Sequence, residues 1–64
     1  MILGIKRTRM FLLSHILAIA EDCRAEAMVR MSSDFFFVVF REPVDVELMV
    51  MLCDFPGITI FDEG

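Results

Sequence analysis

The residues with which this chain could do nucleophilic or metal chemistry are one histidine, His15, and two cysteines, Cys23 and Cys53. His15 could act as a general base toward the Cys23 thiol. The two are eight positions apart, however, which is more than two turns and about 12 Å of rise on a helix, so they cannot touch within one. Cys23 and Cys53 are thirty positions apart with no C-x-x-C spacing, and with a single histidine they form neither a zinc ligand set nor a disulfide framework. Both are expected as small buried hydrophobes of a reducing compartment. Asp45 and Glu47 diverge if they lie on a helix, so they do not make an acid/base pair. The glycines, Gly4, Gly57 and Gly64, are dispersed, and neither an H-E-x-x-H motif nor a nucleophile elbow is present. The expectation is a non-enzyme with no catalytic residue, no metal and no cofactor.

Charge narrows the class of partner. The net charge is −4 and the isoelectric point near 4.6, whereas a nucleic-acid partner calls for a basic face that displaces counterions from phosphate. The charge is also unevenly placed. Residues 1–32 carry Lys6, Arg7, Arg9, Arg24 and Arg30 against Glu21, Asp22 and Glu26, a net of +2. Residues 33–64 carry Arg41 alone against Asp34, Glu42, Asp45, Glu47, Asp54, Asp62 and Glu63, a net of −6. Such a dipole can orient two copies or steer a basic protein.

Size sets the energetic problem. Sixty-four residues make one domain, expected over 1–64, and 58% of them are hydrophobic, with a mean hydropathy of +0.71. At this mass the unfolded chain exposes about 10,700 Å² and a compact monomer about 4,200 Å². If about 3,900 Å² of the difference is apolar, its burial contributes about 98 kcal/mol. Ordering the chain at about 1.5 kcal/mol per residue opposes this with about 96 kcal/mol. A lone copy is therefore marginal. With disulfides and metals set aside, self-association is the remaining route to stability.

The elements follow from periodicity. Residues 2–5 read as a short strand. From Arg9 to Met31 the spacing is helical, with Met10, Leu13, Leu17, Ala20, Ala27 and Met31 on one stripe and Leu12, Ile16, Ile19 and Cys23 beside it. Cations oppose a helix N-terminus, so Lys6, Arg7 and Arg9 should precede its first turn. Lys6-Arg7-Thr8-Arg9 followed by an apolar run to Ala18-Ile19-Ala20 has the layout of a leader peptide. Ser14 and His15 interrupt that run, and it falls short of the ~20 residues of a membrane span, so a core helix in a cytoplasmic protein is the reading, with no membrane partner.

Ser32-Ser33-Asp34 reads as the turn that ends the helix, and Phe35–Phe40 as a strand whose two faces, Phe35/Phe37/Val39 and Phe36/Val38/Phe40, are both apolar. Pro43 and the acids Asp45 and Glu47 suit the first turn of a helix over residues 44–55, although Val44, Val46, Leu48, Val50 and Leu52 also alternate as in a strand. Phe55-Pro56-Gly57 has the chemistry of a type II turn. Ile58–Phe61 is the last strand, followed by a solvated tail, Asp62-Glu63-Gly64.

The passage from Phe35 to Asp62, through Glu42-Pro43-Val44-Asp45-Val46-Glu47 and Phe55-Pro56-Gly57-Ile58, resembles the strand, helix, Pro-Gly turn and strand in the dimerising domain of semialdehyde dehydrogenases. Similar passages occur in many ferredoxin-like domains. The resemblance covers under half of the chain and implies a strand-helix-strand unit often found at subunit interfaces.

The fold expected is α+β: two helices packed on one face of a small antiparallel sheet, in the order α-β-α-β, with a possible N-terminal strand. Two helices cover one face of a sheet, so the other face is expected to meet a second copy or a larger protein. Phe36, Val38 and Phe40, or their alternates, should lie at that contact, with Met49, Asp45 and Glu47 beside it. Met28, Met31, Met49 and Met51 could add an adaptable surface. The function expected is that of a protein-protein interaction module, either a homodimer or a regulator of another protein. Alternatives are an acidic, antitoxin-like inhibitor on a basic site and a small-ligand or enzymatic subunit built around His15 and Cys23.

Overall fold

The computed structural model describes residues 1–61, so the expected tail Asp62-Glu63-Gly64 lies outside the described residues. Strand β1 (Ile2–Lys6) leads through a 3-10 turn (Arg7–Arg9) into helix α1 (Met10–Asp22), followed by β2 (Ala27–Met31), β3 (Phe35–Phe40), α2 (Val46–Cys53) and β4 (Ile58–Phe61). The strands form one antiparallel sheet in the order β2-β3-β1-β4. Each helix crosses between two strands that flank a third, which is the split β-α-β arrangement of ferredoxin-like domains. The α+β class, the two helices and the N-terminal strand agree with the sequence reading. The element order is roughly the expected one with a strand added, because β2 lies where the helix was expected to continue.

The early end of α1 has a local cause. Arg24 takes a left-handed conformation with φ of 57°. The Arg24 N–H donates to the Glu21 carbonyl at 3.0 Å and the Ala25 N–H to the Ala20 carbonyl at 2.8 Å. Those two bonds are the Schellman closure of a helix. Glycine normally holds that position because a Cβ is disfavoured there, and an arginine gives no such signal to a reader. Arg24→Gly is accordingly expected to stabilise the chain by about 1 kcal/mol. A urea midpoint unchanged or lowered by the substitution would contradict this account of the stop.

Freed from the helix, Ala27–Met31 pairs with β3 in the register Ala27 to Phe40 and Met31 to Phe36. Ser33-Asp34 is the two-residue loop of this hairpin. The Ser32 N–H donates to the Phe35 carbonyl at 2.8 Å, and the Phe35 N–H donates to Ser32 Oγ at 3.2 Å. Ser32-Ser33-Asp34 is thus a turn as expected, but between two strands. The Arg7 N–H donates to the Asp34 carbonyl at 3.0 Å, which ties the loop to the end of β1.

One core lies between the sheet and the helices. It consists of Leu3 and Ile5 from β1, Phe36, Val38 and Phe40 from β3, Leu12, Ile16 and Ala20 from α1, and Leu48 and Leu52 from α2. The inward line of α1 is therefore Leu12-Ile16-Ala20 at i, i+4 and i+8, while Met10, expected on the buried stripe, is 60% exposed. Arg7 and Arg9 occupy the 3-10 turn ahead of α1, as the dipole requires. Helix α2 falls within the expected 44–55 segment, with the Asp45 carboxylate accepting from the Glu47 N–H at 3.2 Å as its N-cap. Gly57, with φ of 84°, supplies the turn into β4.

Candidate interaction surface

The side of the sheet away from the helices is built by alternation along four strands. In β1, Leu3 and Ile5 point into the core and are fully buried, which turns Ile2, Gly4 and Lys6 outward. The register carries this choice across the sheet. Leu3 pairs with Val38 and Ile5 with Phe36, while Gly4 pairs with Phe37 and Ile2 with Val39. Met28 and Arg30 of β2 then join the outer face opposite Val39 and Phe37. Thr59 and Phe61 of β4 join it opposite Gly4 and Ile2.

This placement corrects the expected contact residues. Phe36, Val38 and Phe40 are 4%, 0% and 3% exposed and belong to the core under the helices, so they cannot meet another chain without unfolding. Their alternates Phe35, Phe37 and Val39 are the ones on the open face, half-buried by one another. Signals for the choice exist in β1, where the bulky pair Leu3 and Ile5 opposes Gly4 and Lys6. Sequence reasoning also missed Arg30 and Phe61 as members of the face, and it named Met28 only within an adaptable methionine surface, because β2 was read as helix.

Three aromatic rings organise the surface. Phe35 and Phe37 stack with centroids 5.9 Å apart, and Phe37 meets Phe61 edge-to-face at 5.9 Å. The Phe61 ring lies over Gly4, where an added Cβ would come within 2.6 Å of Phe61 Cε2. A glycine without a side chain lets an aromatic ring from the next strand cover the gap. Gly4→Ala should expel this ring from the face and destabilise the chain by about 1–2 kcal/mol through crowding. A urea midpoint equal to that of the parent would show that the ring is not held there.

Beside the rings runs a shallow groove lined by Ile2, Met28, Arg30, Phe37 and Val39, with Met28 60% exposed. The charges lie at the two ends of the face. Lys6 and Arg30 stand toward one end, and at the other Arg41 Nη1 donates to Glu26 Oε2 at 2.9 Å in an exposed ion pair.

The other expected site residues lie elsewhere. Met49, Asp45 and Glu47 are exposed on α2 or at its start, in the helical layer and away from the open face. Of the thiols, Cys23 is half-buried and Cys53 exposed, so the expectation of two buried cysteines is corrected for Cys53. It follows Leu52 on α2, and one step along a helix turns the side chain from the core toward solvent. His15 is exposed on α1, its ring edge-on to Phe55 with centroids 5.1 Å apart. Among the described residues no three of the His, Cys, Asp and Glu side chains are grouped to hold a metal ion. Among them, too, no helix is long and apolar enough to cross a membrane.

No protein-family model, curated protein or solved structure matches the chain. The geometry of its surfaces is thus what bears on function.

Proposed function

We propose that this chain is a protein-protein interaction module that works as a homodimer, two copies packing the open faces of their sheets together. The observation that carries the reading is the continuous apolar surface of Ile2, Met28, Phe35, Phe37, Val39 and Phe61 on the side with no helices. A second copy would turn each two-layer domain into half of a four-layer assembly in which both faces of the phenylalanine-rich strand are covered. The accessible surface of the single chain, 4679 Å², also exceeds by about 500 Å² that of a compact monomer of this mass.

Charge favours one orientation of the pair. If like ends met, Lys6 and Arg30 would face their own copies. With the strands of the two sheets antiparallel across the contact, they approach instead the end where Arg41 and Glu26 neutralise each other. The flat footprint of four strands and five residues is roughly 300 Å² per copy before side-chain relief is added. Two such footprints make about 600 Å² before that relief, below the usual total of about 1,200–2,000 Å² for specific interfaces, so the pair belongs with weak, transient contacts and should be sought at micromolar and higher concentration. Sedimentation of the purified chain over that range is the test. A single-copy species throughout would end this reading.

A further inference from the structure

Helix α2 carries a second apolar surface that the sheet contact does not use. Leu48 and Leu52 point into the core, yet the outward line Val46, Met49, Val50 and Cys53, at i, i+3, i+4 and i+7, is apolar as well. Val46 is 71%, Val50 58% and Met49 42% exposed. A helix with solvent on its outer side is normally polar there. Along its own segment of chain this stripe is flanked only by acids. From Glu42 to Phe61 the sequence has no Lys, Arg or His, while Asp45 and Glu47 stand at one end of the helix and Asp54 at the other. An occupant must therefore bring apolar side chains flanked by cations.

Two features of the described residues meet this: Met31, 70% exposed on β2 beside Arg30, which already belongs to the open sheet face, and the start of α1. At the start of α1, Met10 is 60% and Phe11 65% exposed, directly after Lys6, Arg7 and Arg9. The Arg7 guanidinium is engaged with the Ser32 and Ser33 carbonyls at 3.4 and 3.5 Å and lies over the Phe36 ring, which leaves Arg9, whose side chain runs beside Gly57 of its own chain, as the cation nearest the exposed pair. We propose that the α2 stripe of one copy takes up the Arg9-Met10-Phe11 corner of a second copy, with Arg9 opposite Glu47. Pairing α2 with α2 is the poorer match, because two antiparallel copies bring the Asp45 and Glu47 end against Asp54. The acidic flanks likewise oppose an anionic lipid surface.

The two patches in this contact are different, so the association is head-to-tail and propagates unless the rotation closes a ring. It is also independent of the open sheet face, and assemblies larger than two copies are its signature. Sedimentation velocity of the full chain at about 0.1 M and about 1 M salt tests it, since the screening length falls from about 10 Å to about 3 Å between them. Species beyond two copies should grow with concentration at the lower salt and shrink at the higher. Val50→Asp and Phe11→Ser, both at exposed positions, should each weaken that growth by about thirtyfold while leaving the two-copy species and the thermal transition in place. Arg9→Glu and Glu47→Arg should each weaken it, and the two combined should restore it. A parent chain that stops at two copies, a Val50→Asp chain that assembles like the parent, or a charge exchange without restoration would each overturn the proposal. Met28→Asp removes the sheet contact alone, so failure of one interface is distinguishable from failure of the other.

Discussion

Phe36→Ala should leave the chain unfolded or nearly so. The Phe36 ring is 4% exposed in the single core, with the Arg7 guanidinium 5.7 Å from its centroid. Truncating a buried phenylalanine to alanine removes transfer free energy and leaves a cavity, together about 3–5 kcal/mol. A domain of this length has only about 3–10 kcal/mol of stability in all. The melting temperature should therefore fall by about 12 °C or more, or the cooperative transition should vanish from far-UV circular dichroism. A melt within a few degrees of the parent would show that this ring is not in the core, and the assignment of sheet faces would have to be reversed.

The neighbouring substitution, Phe37→Asp, should act on assembly instead. Phe37 lies on the open face and contacts Phe35 and Phe61 through ring pairs worth about 0.5–1.5 kcal/mol each. In a lone copy the aspartate reaches water. In the proposed pair it would be buried without a partner, which costs several kcal/mol. Pairing through the sheet should weaken by about a hundredfold or more, and sedimentation should show that the two-copy species has been lost. Because a marginal monomer can lose its fold with its partner, Met28→Asp provides the second reading. That side chain is already 60% exposed and contributes little to the single copy, so its effect should fall almost wholly on association. Two-copy species persisting in both variants would remove the sheet face as the interface.

The contrast between positions 36 and 37 also separates local from non-local information in this sequence. That residues 35–40 form a strand follows from their composition, since β-branched and aromatic side chains crowd a helix and fit a pleated surface. Which of its two faces meets the helices does not follow, because both alternating triplets are apolar. The decision comes from β1, thirty-odd positions earlier, whose Leu3 and Ile5 line up with Val38 and Phe36. The α2 segment was legible for a related reason: the Asp45 cap and the acidic Glu47 of the first turn act within a few residues, whereas Pro43, expected in that turn, lies ahead of the cap.

What the sequence by itself determined was the α+β class, the turn and strand after α2, the strand at the N-terminus and a high apolar content. These rest on local backbone preference and on composition, and neither requires knowing which segment is whose neighbour. Tertiary structure alone decided that the segment from Ala27 to Met31 is a strand and that Phe35, Phe37 and Val39 face outward; the stop of α1 at Arg24 is local, but no glycine marks it. Methionine, alanine and arginine fit helix and strand nearly alike, so the pairing of β2 with β3 selects between them. A face of a sheet becomes inside or outside only when the helices settle on the other one.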